Sequence, residues 1–110
     1  MELSEKKCVP CQGGLPALNR DEAERYIARV PRWQLAADGN SISCTWKWRN
    51  FAEALAFVNR VGEVCEAEGH HPDIRFGWGY ATVVFYTHKI GGLHENDFIM
   101  AAKLDLLTPD

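Results

Sequence analysis

Asp73-Ile74-Arg75-Phe76-Gly77-Trp78-Gly79-Tyr80-Ala81-Thr82-Val83-Val84-Phe85-Tyr86-Thr87-His88 is the stretch that decides the fold. Its first half, from Asp73 to Trp78, alternates polar or small residues with apolar ones, the period of two of a half-buried strand. Gly79-Tyr80 supplies a turn. Residues 81–88 then form a second strand, in which Ala81, Val83, Phe85 and Thr87 share one face and Thr82, Val84, Tyr86 and His88 the other. Strands joined this tightly pair antiparallel, because a parallel neighbour needs a long crossover.

Upstream lies a second hairpin. Trp33-Gln34-Leu35 is followed by Asp38-Gly39 and then by Ile42, Cys44, Trp46 and Trp48 alternating with polar residues. Asp38-Gly39 suits the turn because glycine accepts positive φ. Between the hairpins Asn50 and Glu53 form a capping box that opens a helix. Phe51, Leu55, Val58, Gly62 and Cys65 step along it by three and four, with Ala54, Phe57, Val61 and Val64 as a neighbouring stripe. The two stripes predict a wide apolar face and make this helix the spine of the core. Gly69 caps its end, and Pro72 keeps His71 out of the α conformation.

The flanks are helical as well. After Leu18, Asn19-Arg20-Asp21-Glu22 is a capping box for a helix carrying Ala23, Tyr26, Ile27 and Val30, which Pro31 stops. Beyond Gly91-Gly92 a third helix is expected over residues 95–107, with Phe98, Ala101, Ala102 and Leu106 inward. The order α-β-β-α-β-β-α predicts an α+β domain, an antiparallel sheet with helices on one face. Residues 1–17 show no periodicity and read as an irregular arm, leaving 18–110 as a single domain.

Composition excludes several classes. A chain of 110 residues with 46% hydrophobic and 25% charged residues is one globular domain rather than a disordered segment. Its net charge of −3, without a Lys/Arg cluster, argues against nucleic acid as partner. The longest apolar run, residues 54–58, is far too short for a membrane helix. The start, Met1-Glu2-Leu3-Ser4-Glu5-Lys6-Lys7, lacks the apolar core of a secretory signal, so the expectation is a soluble cytoplasmic domain with reduced thiols at Cys8, Cys11, Cys44 and Cys65. Cys8-Val9-Pro10-Cys11 has the spacing of a zinc half-site or redox pair. No second ligand pair completes a zinc site, and the motif runs into Gln12-Gly13-Gly14 instead of opening a helix; it reads as a lead-in.

The chemistry gathers in one region. His70, His71, His88 and His94 are the only histidines, and His70, His71 and His88 fall at element ends, where sites are built on rigid supports. Imidazole titrates near neutral pH and suits acid/base work. Glu66 stands one helical turn before His70, and Asp97 lies in the first turn of the third helix, close in sequence to His88; either could fix a ring tautomer. Three histidines could also ligate a metal, but adjacent residues rarely aim two imidazoles at one ion and no HxH or HxxxH spacing occurs. Metal-free acid/base use fits better. Gly77-Trp78-Gly79 lacks the third glycine of a phosphate loop, and no Ser or Cys has the context of an activated nucleophile. Trp78 and Tyr86 are expected partly outside the helix-covered face, where they could wall a flat ring or an oligomer interface.

Taken together, Glu66-Ala67-Glu68-Gly69-His70-His71-Pro72-Asp73, then Thr87-His88, then Gly92-Leu93 and Asp97, resemble the pterin-4a-carbinolamine dehydratase family. Residues 76–80 and the Cys8/Cys11 lead-in are similar to its bacterial branch. The resemblance implies a four-stranded antiparallel sheet with three helices packed on one face, a homodimer or homotetramer, and no metal or redox cofactor, the pterin being substrate. It implies dehydration of a 4a-hydroxytetrahydropterin (4a-hydroxytetrahydrobiopterin) to the quinonoid dihydropterin, in support of tetrahydropterin recycling for an aromatic amino acid hydroxylase. Carried over by position, His70 and His88 are the acid/base pair and His71 binds and orients the pterin. Glu66 orients a histidine, Asp97 supports the pocket from the helix start, and Pro72, Asp73 and Thr87 complete the supporting set. Two positions depart from the family pattern. His94 stands where many members have Ser or Thr, and imidazole is the poorer cap. Ile74 replaces a tryptophan of animal members, which predicts a less aromatic pocket wall. Other readings from the same resemblance are a non-catalytic dimerising regulator and a pterin-binding accessory of molybdenum-cofactor metabolism.

Overall fold

A computed structural model of the chain describes residues 2–9 and 16–108. The expected order is present as α1 (Arg20–Ile27), β1 (Gln34–Leu35), β2 (Ile42–Lys47), α2 (Phe51–Glu68), β3 (Asp73–Gly77), β4 (Tyr80–Phe85) and α3 (Glu95–Asp105). The strands form one four-stranded antiparallel sheet in the order β1-β2-β4-β3, so the two hairpins meet where β2 pairs with β4. Register follows from the apolar alternation, since a one-residue slip would turn every side chain over. Ile42 lies opposite Phe85, Cys44 opposite Val83 and Trp46 opposite Ala81, all buried. Ile74 and Phe76 of β3 continue the same face beside Val83 and Ala81. On the uncovered face Thr45 and Thr82 share a hydroxyl hydrogen bond of 2.8 Å.

An aromatic cluster joins sheet to helices. The ring of Phe57 in α2 lies 4.7 Å from Trp46 and 5.0 Å from Trp48, and Trp33 meets Trp46 edge-on at 5.6 Å. Buried indoles need acceptors. Trp33 Nε1 donates to Asp105 Oδ1 at 3.0 Å and Trp46 Nε1 to Thr108 Oγ1 at 3.1 Å, tying the end of α3 to the sheet.

Local capping bounds the helices. Asn19 and Glu22 exchange hydrogen bonds of 2.8 and 2.9 Å, a full capping box for α1. Asn50 accepts from the Glu53 N–H, but the Glu53 carboxylate turns to the backbone and guanidinium of Arg49, so only half of the expected box forms at α2. At the other end of α2, Gly69 takes the left-handed conformation (φ 67°). There the His70 N–H reaches Cys65 O and the Gly69 N–H reaches Glu66 O, a Schellman closure.

Three expectations need correction. The buried face of α2 is narrower than predicted: Ala54, Phe57, Val61 and Cys65 are buried, whereas Phe51 (46%) and Leu55 (40%) are exposed, as is Gly62. A helix lying on a sheet hides a stripe about 100° wide, and the apolar residues of α2 exceed it. Phe51 instead stacks on Phe76 at 5.6 Å along the rim. In α3 the reverse holds, with every residue from Asn96 to Ala101 buried together with Leu104. Leu106, expected inward, is 64% exposed because the helix has ended at Asp105. The second strand of the deciding hairpin also stops early, at Phe85; Thr87 continues as an isolated bridge to Gly92 and His88 starts a 3-10 turn, His88–Ile90.

The arm is partly structured. Leu3–Glu5 form a 3-10 turn that packs against α3, with Leu3 buried. Among the described residues no helix is long and apolar enough to cross a membrane.

The narrower α2 face is directly testable. Phe57→Ala removes a fully buried ring and is expected to cost about 3–5 kcal/mol in urea unfolding. Leu55→Ala is expected to stay within about 0.5 kcal/mol of the parent. Comparable losses at both positions would restore the broad face.

Candidate active site

The Schellman closure of α2 ends at His70 and directs the chain into β3. The His70 ring, with its side chain 11% exposed, lies nearly parallel to Phe85 at 6.0 Å and places Nε2 2.6 Å from Asp97 Oδ1. Asp97, at the third position of α3, is fully buried. Its second oxygen accepts from Thr87 Oγ1 at 2.8 Å and from the His94 N–H at 3.0 Å. One carboxylate thus joins the end of α2, the segment after β4 and the start of α3. With Nε2–H donating to this carboxylate, the free lone pair of the His70 ring is on Nδ1.

Glu66 pairs with His71, not with His70. His71 Nε2 lies 2.8 Å from Glu66 Oε1, and both side chains are exposed. Such a pair adds little to stability in water; what it does is orient the ring. His88 opens the 3-10 turn that Gly91 closes in the left-handed conformation (φ 66°), and its ring sits 4.2 Å from that of Tyr86. The Thr87–Gly92 bridge anchors this turn, with the Thr87 N–H bonded to Gly92 O at 2.8 Å. A Cβ at Gly92 would stand 2.7 Å from Ala17 Cβ, so the close approach requires glycine.

His70, His71, Tyr86, Thr87 and His88 line one cleft of about 490 Å³, within the usual range for small-ligand sites. The other walls come from Glu68, Lys89, Asn96 and, in the arm, Cys8 and Val9. Asp97 is buried behind the cleft, and Glu66 reaches it only through His71. Pro72 and Asp73 do not line it, nor does Trp78, 73% exposed at the β3–β4 turn. Ile74 is also absent from its lining: it faces the core opposite Val83, so the missing tryptophan does not thin a pocket wall.

Sequence reasoning missed Cys8, Val9, Glu68, Lys89 and Asn96. The CxxC spacing and the Glu66–Asp73 motif contain Cys8, Val9 and Glu68 without placing them in the cleft, and nothing local joins Asn96 to Val9, 87 residues away in the chain. The thiol chemistry is muted. Burial pushes Cys8 and Cys65 up to about 12 and Cys44 to about 11, with the Glu68 carboxylate adding to the effect at Cys8. Cys11, and with it the CxxC pair as a unit, lies outside the described residues. Among the described residues no three His, Cys, Asp or Glu side chains are grouped to hold a metal ion.

His94 is a better cap than expected. Its Nδ1 accepts from the Asn96 N–H at 3.0 Å while Asp97 returns a bond to the His94 N–H, so the ring nitrogen takes the place of a hydroxyl. His94→Ala is expected to cost about 1 kcal/mol in chemical unfolding, and His94→Ser to keep most of that stability; equal stability of all three proteins would remove the capping role. Because the three raised thiols stay protonated at pH 8, iodoacetamide is expected to leave Cys8, Cys44 and Cys65 of the folded protein largely unmodified, as read by peptide mass mapping.

The family model described as pterin 4 alpha carbinolamine dehydratase matches residues 16–107. A protein of Methylococcus capsulatus named "Putative pterin-4-alpha-carbinolamine dehydratase" is 57% identical over 108 residues, spanning 98% of this chain and 95% of its own. A protein of Halorhodospira halophila with the same name is 58% identical over 107 residues, spanning 97% and 98%. Among solved structures, a transcriptional coactivator/pterin dehydratase from Brucella melitensis superposes with a TM-score of 0.77 at 24% identity, covering 83% of this chain and 97% of its own. A pterin dehydratase-like protein identified as a RuBisCO assembly factor in the alpha-carboxysome superposes with a TM-score of 0.58 at 22% identity, covering 68% and 87%. These two share the fold. The match over residues 16–107 and the identities above 50% place the chain in the pterin 4 alpha carbinolamine dehydratase family.

Proposed function

We propose that the chain dehydrates a 4a-hydroxytetrahydropterin by histidine acid/base catalysis. The observation that carries this reading is the buried Asp97–His70 pair opening onto a cleft that also holds His88 and His71. In the reaction the C4a–O bond breaks as the hydroxyl takes a proton and leaves as water. The N5–H bond gives up its proton, and its electron pair forms the C4a=N5 bond of the quinonoid dihydropterin. Electrons are only rearranged within the substrate, so no redox cofactor enters the balance.

Two proton transfers need two groups that exchange protons near neutral pH. His70, held through Nε2, exchanges at Nδ1. His88, exposed at its glycine-closed turn, is the second group. His71, steadied by Glu66, binds and orients the pterin, and Thr87 acts through Asp97. The product must be reduced before it can serve again as a tetrahydropterin. This enzyme therefore works between a pterin-dependent aromatic amino acid hydroxylase and a dihydropterin reductase. The exposed Phe51, stacked on Phe76, offers an apolar surface for association into a homodimer or homotetramer.

Stopped-flow decay of the carbinolamine ultraviolet band, with the substrate generated in situ by a hydroxylase, tests the assignment. His70→Ala and His88→Ala are each expected to slow catalysed dehydration by about 10²–10⁴-fold. Asp97→Asn leaves an amide N–H₂ among three donors and loosens the His70 tautomer, so kcat is expected to fall by about 10²-fold with a small change in KM. A well-folded wild-type protein that leaves the decay unchanged would sink the dehydratase reading and favour a binding or regulatory role.

A further inference from the structure

Residues 3–9 of the lead-in are fastened to α2 and α3 and end at the cleft. Leu3 is buried, and Lys103 Nζ donates to Ser4 O at 2.9 Å. Lys6 pairs with Glu95 at 2.7 Å, and the Cys8 N–H donates to Glu68 Oε1 at 3.1 Å. At the cleft itself Asn96 takes over. Its Oδ1 accepts from the Val9 N–H at 3.1 Å and its Nδ2 donates to Val9 O at 2.7 Å, so one side-chain amide holds both backbone groups of a single residue as a neighbouring strand would. Asn96 is only 2% exposed, and its own N–H is held by His94 Nδ1.

This clamp has a consequence for the ligand. Asn96 and Asp97 are consecutive: one fixes Val9, the other His70. Val9 is apolar yet 56% exposed, and it sits in the wall of the cleft beside the histidines. A flat bicycle bound there would find aromatic rings at Tyr86 and His88 and an aliphatic edge at Val9. Covering that edge removes it from water, which favours binding in ground and transition state alike.

We propose that Val9 forms part of the pterin-binding wall and that Asn96 is the positioning residue presenting it, so that this pair sets the affinity of the cleft and not the rate of its chemistry. The inference rests on the dehydratase reading for its substrate class. The Cys8 thiol, held neutral by burial, adds soft apolar surface to the same wall.

The test uses full-length Val9→Glu and Asn96→Ala. KM for dehydration is read together with equilibrium binding of a non-reacting 7,8-dihydropterin, followed by tryptophan fluorescence. Both variants are expected to raise KM and Kd about 5- to 20-fold while kcat stays within about 2-fold, because uniform binding is lost. Val9→Glu changes an exposed side chain and keeps the fold, so it decides the matter should Asn96→Ala unfold. A wild-type KM and Kd in Val9→Glu overturns the wall. A folded Asn96→Ala with wild-type KM, or with a fall in kcat alone, overturns the positioning role. A wild type that fails to accelerate dehydration counts against the dehydratase reading, and the dihydropterin titrations then still decide whether Val9 meets a pterin.

Discussion

The buried carboxylate of Asp97 is the constraint on which the rest of the site depends. A lone carboxylate removed from water costs several kcal/mol; here three donors surround it, the His70 ring, the Thr87 hydroxyl and the His94 N–H. Those donors come from the end of α2, the segment after β4 and the first turn of α3. None of the three can shift without leaving the carboxylate short of a partner in a place solvent does not reach, since Asp97 is fully buried. The geometry of the His70 ring is therefore inherited from the packing of the domain.

The first turn of α3 concentrates this control. His94 caps the helix through its ring, Asn96 grips the arm, Asp97 holds His70, and Glu95 pairs with Lys6. A helix N-terminus has unpaired N–H groups to satisfy and favours acidic groups nearby. In this chain the same few residues that meet that local need also assemble the cleft. That coupling explains why an imidazole cap is workable: its Nδ1 accepts one N–H bond, and Asp97 returns a second to the backbone of His94 itself.

How much of this was legible in the sequence follows from the range of each interaction. The hairpins, the helix order and the Asn19 and Gly69 caps rest on contacts within a few residues, and alternation alone groups Ala81, Val83, Phe85 and Thr87 on one face, which is the buried one. The α2 face was overdrawn because three- and four-residue spacing marks an apolar residue without saying whether anything covers it; Phe51 and Leu55 fit the stripe and remain exposed. Residue type marks the histidines but not which carboxylate each one meets: Glu66 is close in sequence to His70 and Asp97 to His88, whereas Glu66 bonds His71 and Asp97 bonds His70. Turning the chain at Gly69 is what separates Glu66 from His70, since beyond the helix end the one-turn spacing no longer brings side chains together. The Asn96–Val9 clamp had no sequence signal, because its register exists only once the arm has folded back.

The two histidine–carboxylate pairs show how environment divides labour between identical chemical parts. His70–Asp97 is short, shielded and braced by two further donors to the carboxylate, so its ring is held in one orientation. His71–Glu66 has a similar length but stands in water, where screening and side-chain entropy make it the weaker restraint of the two. In the proposed dehydration the held ring exchanges a proton at a fixed place, while the exposed ring meets the substrate at the mouth of the cleft. His88 completes the set from a short turn closed by Gly91 and pinned by the Thr87–Gly92 bridge, so Thr87 joins two parts of the site: its backbone anchors the turn of one imidazole and its hydroxyl braces the carboxylate of another.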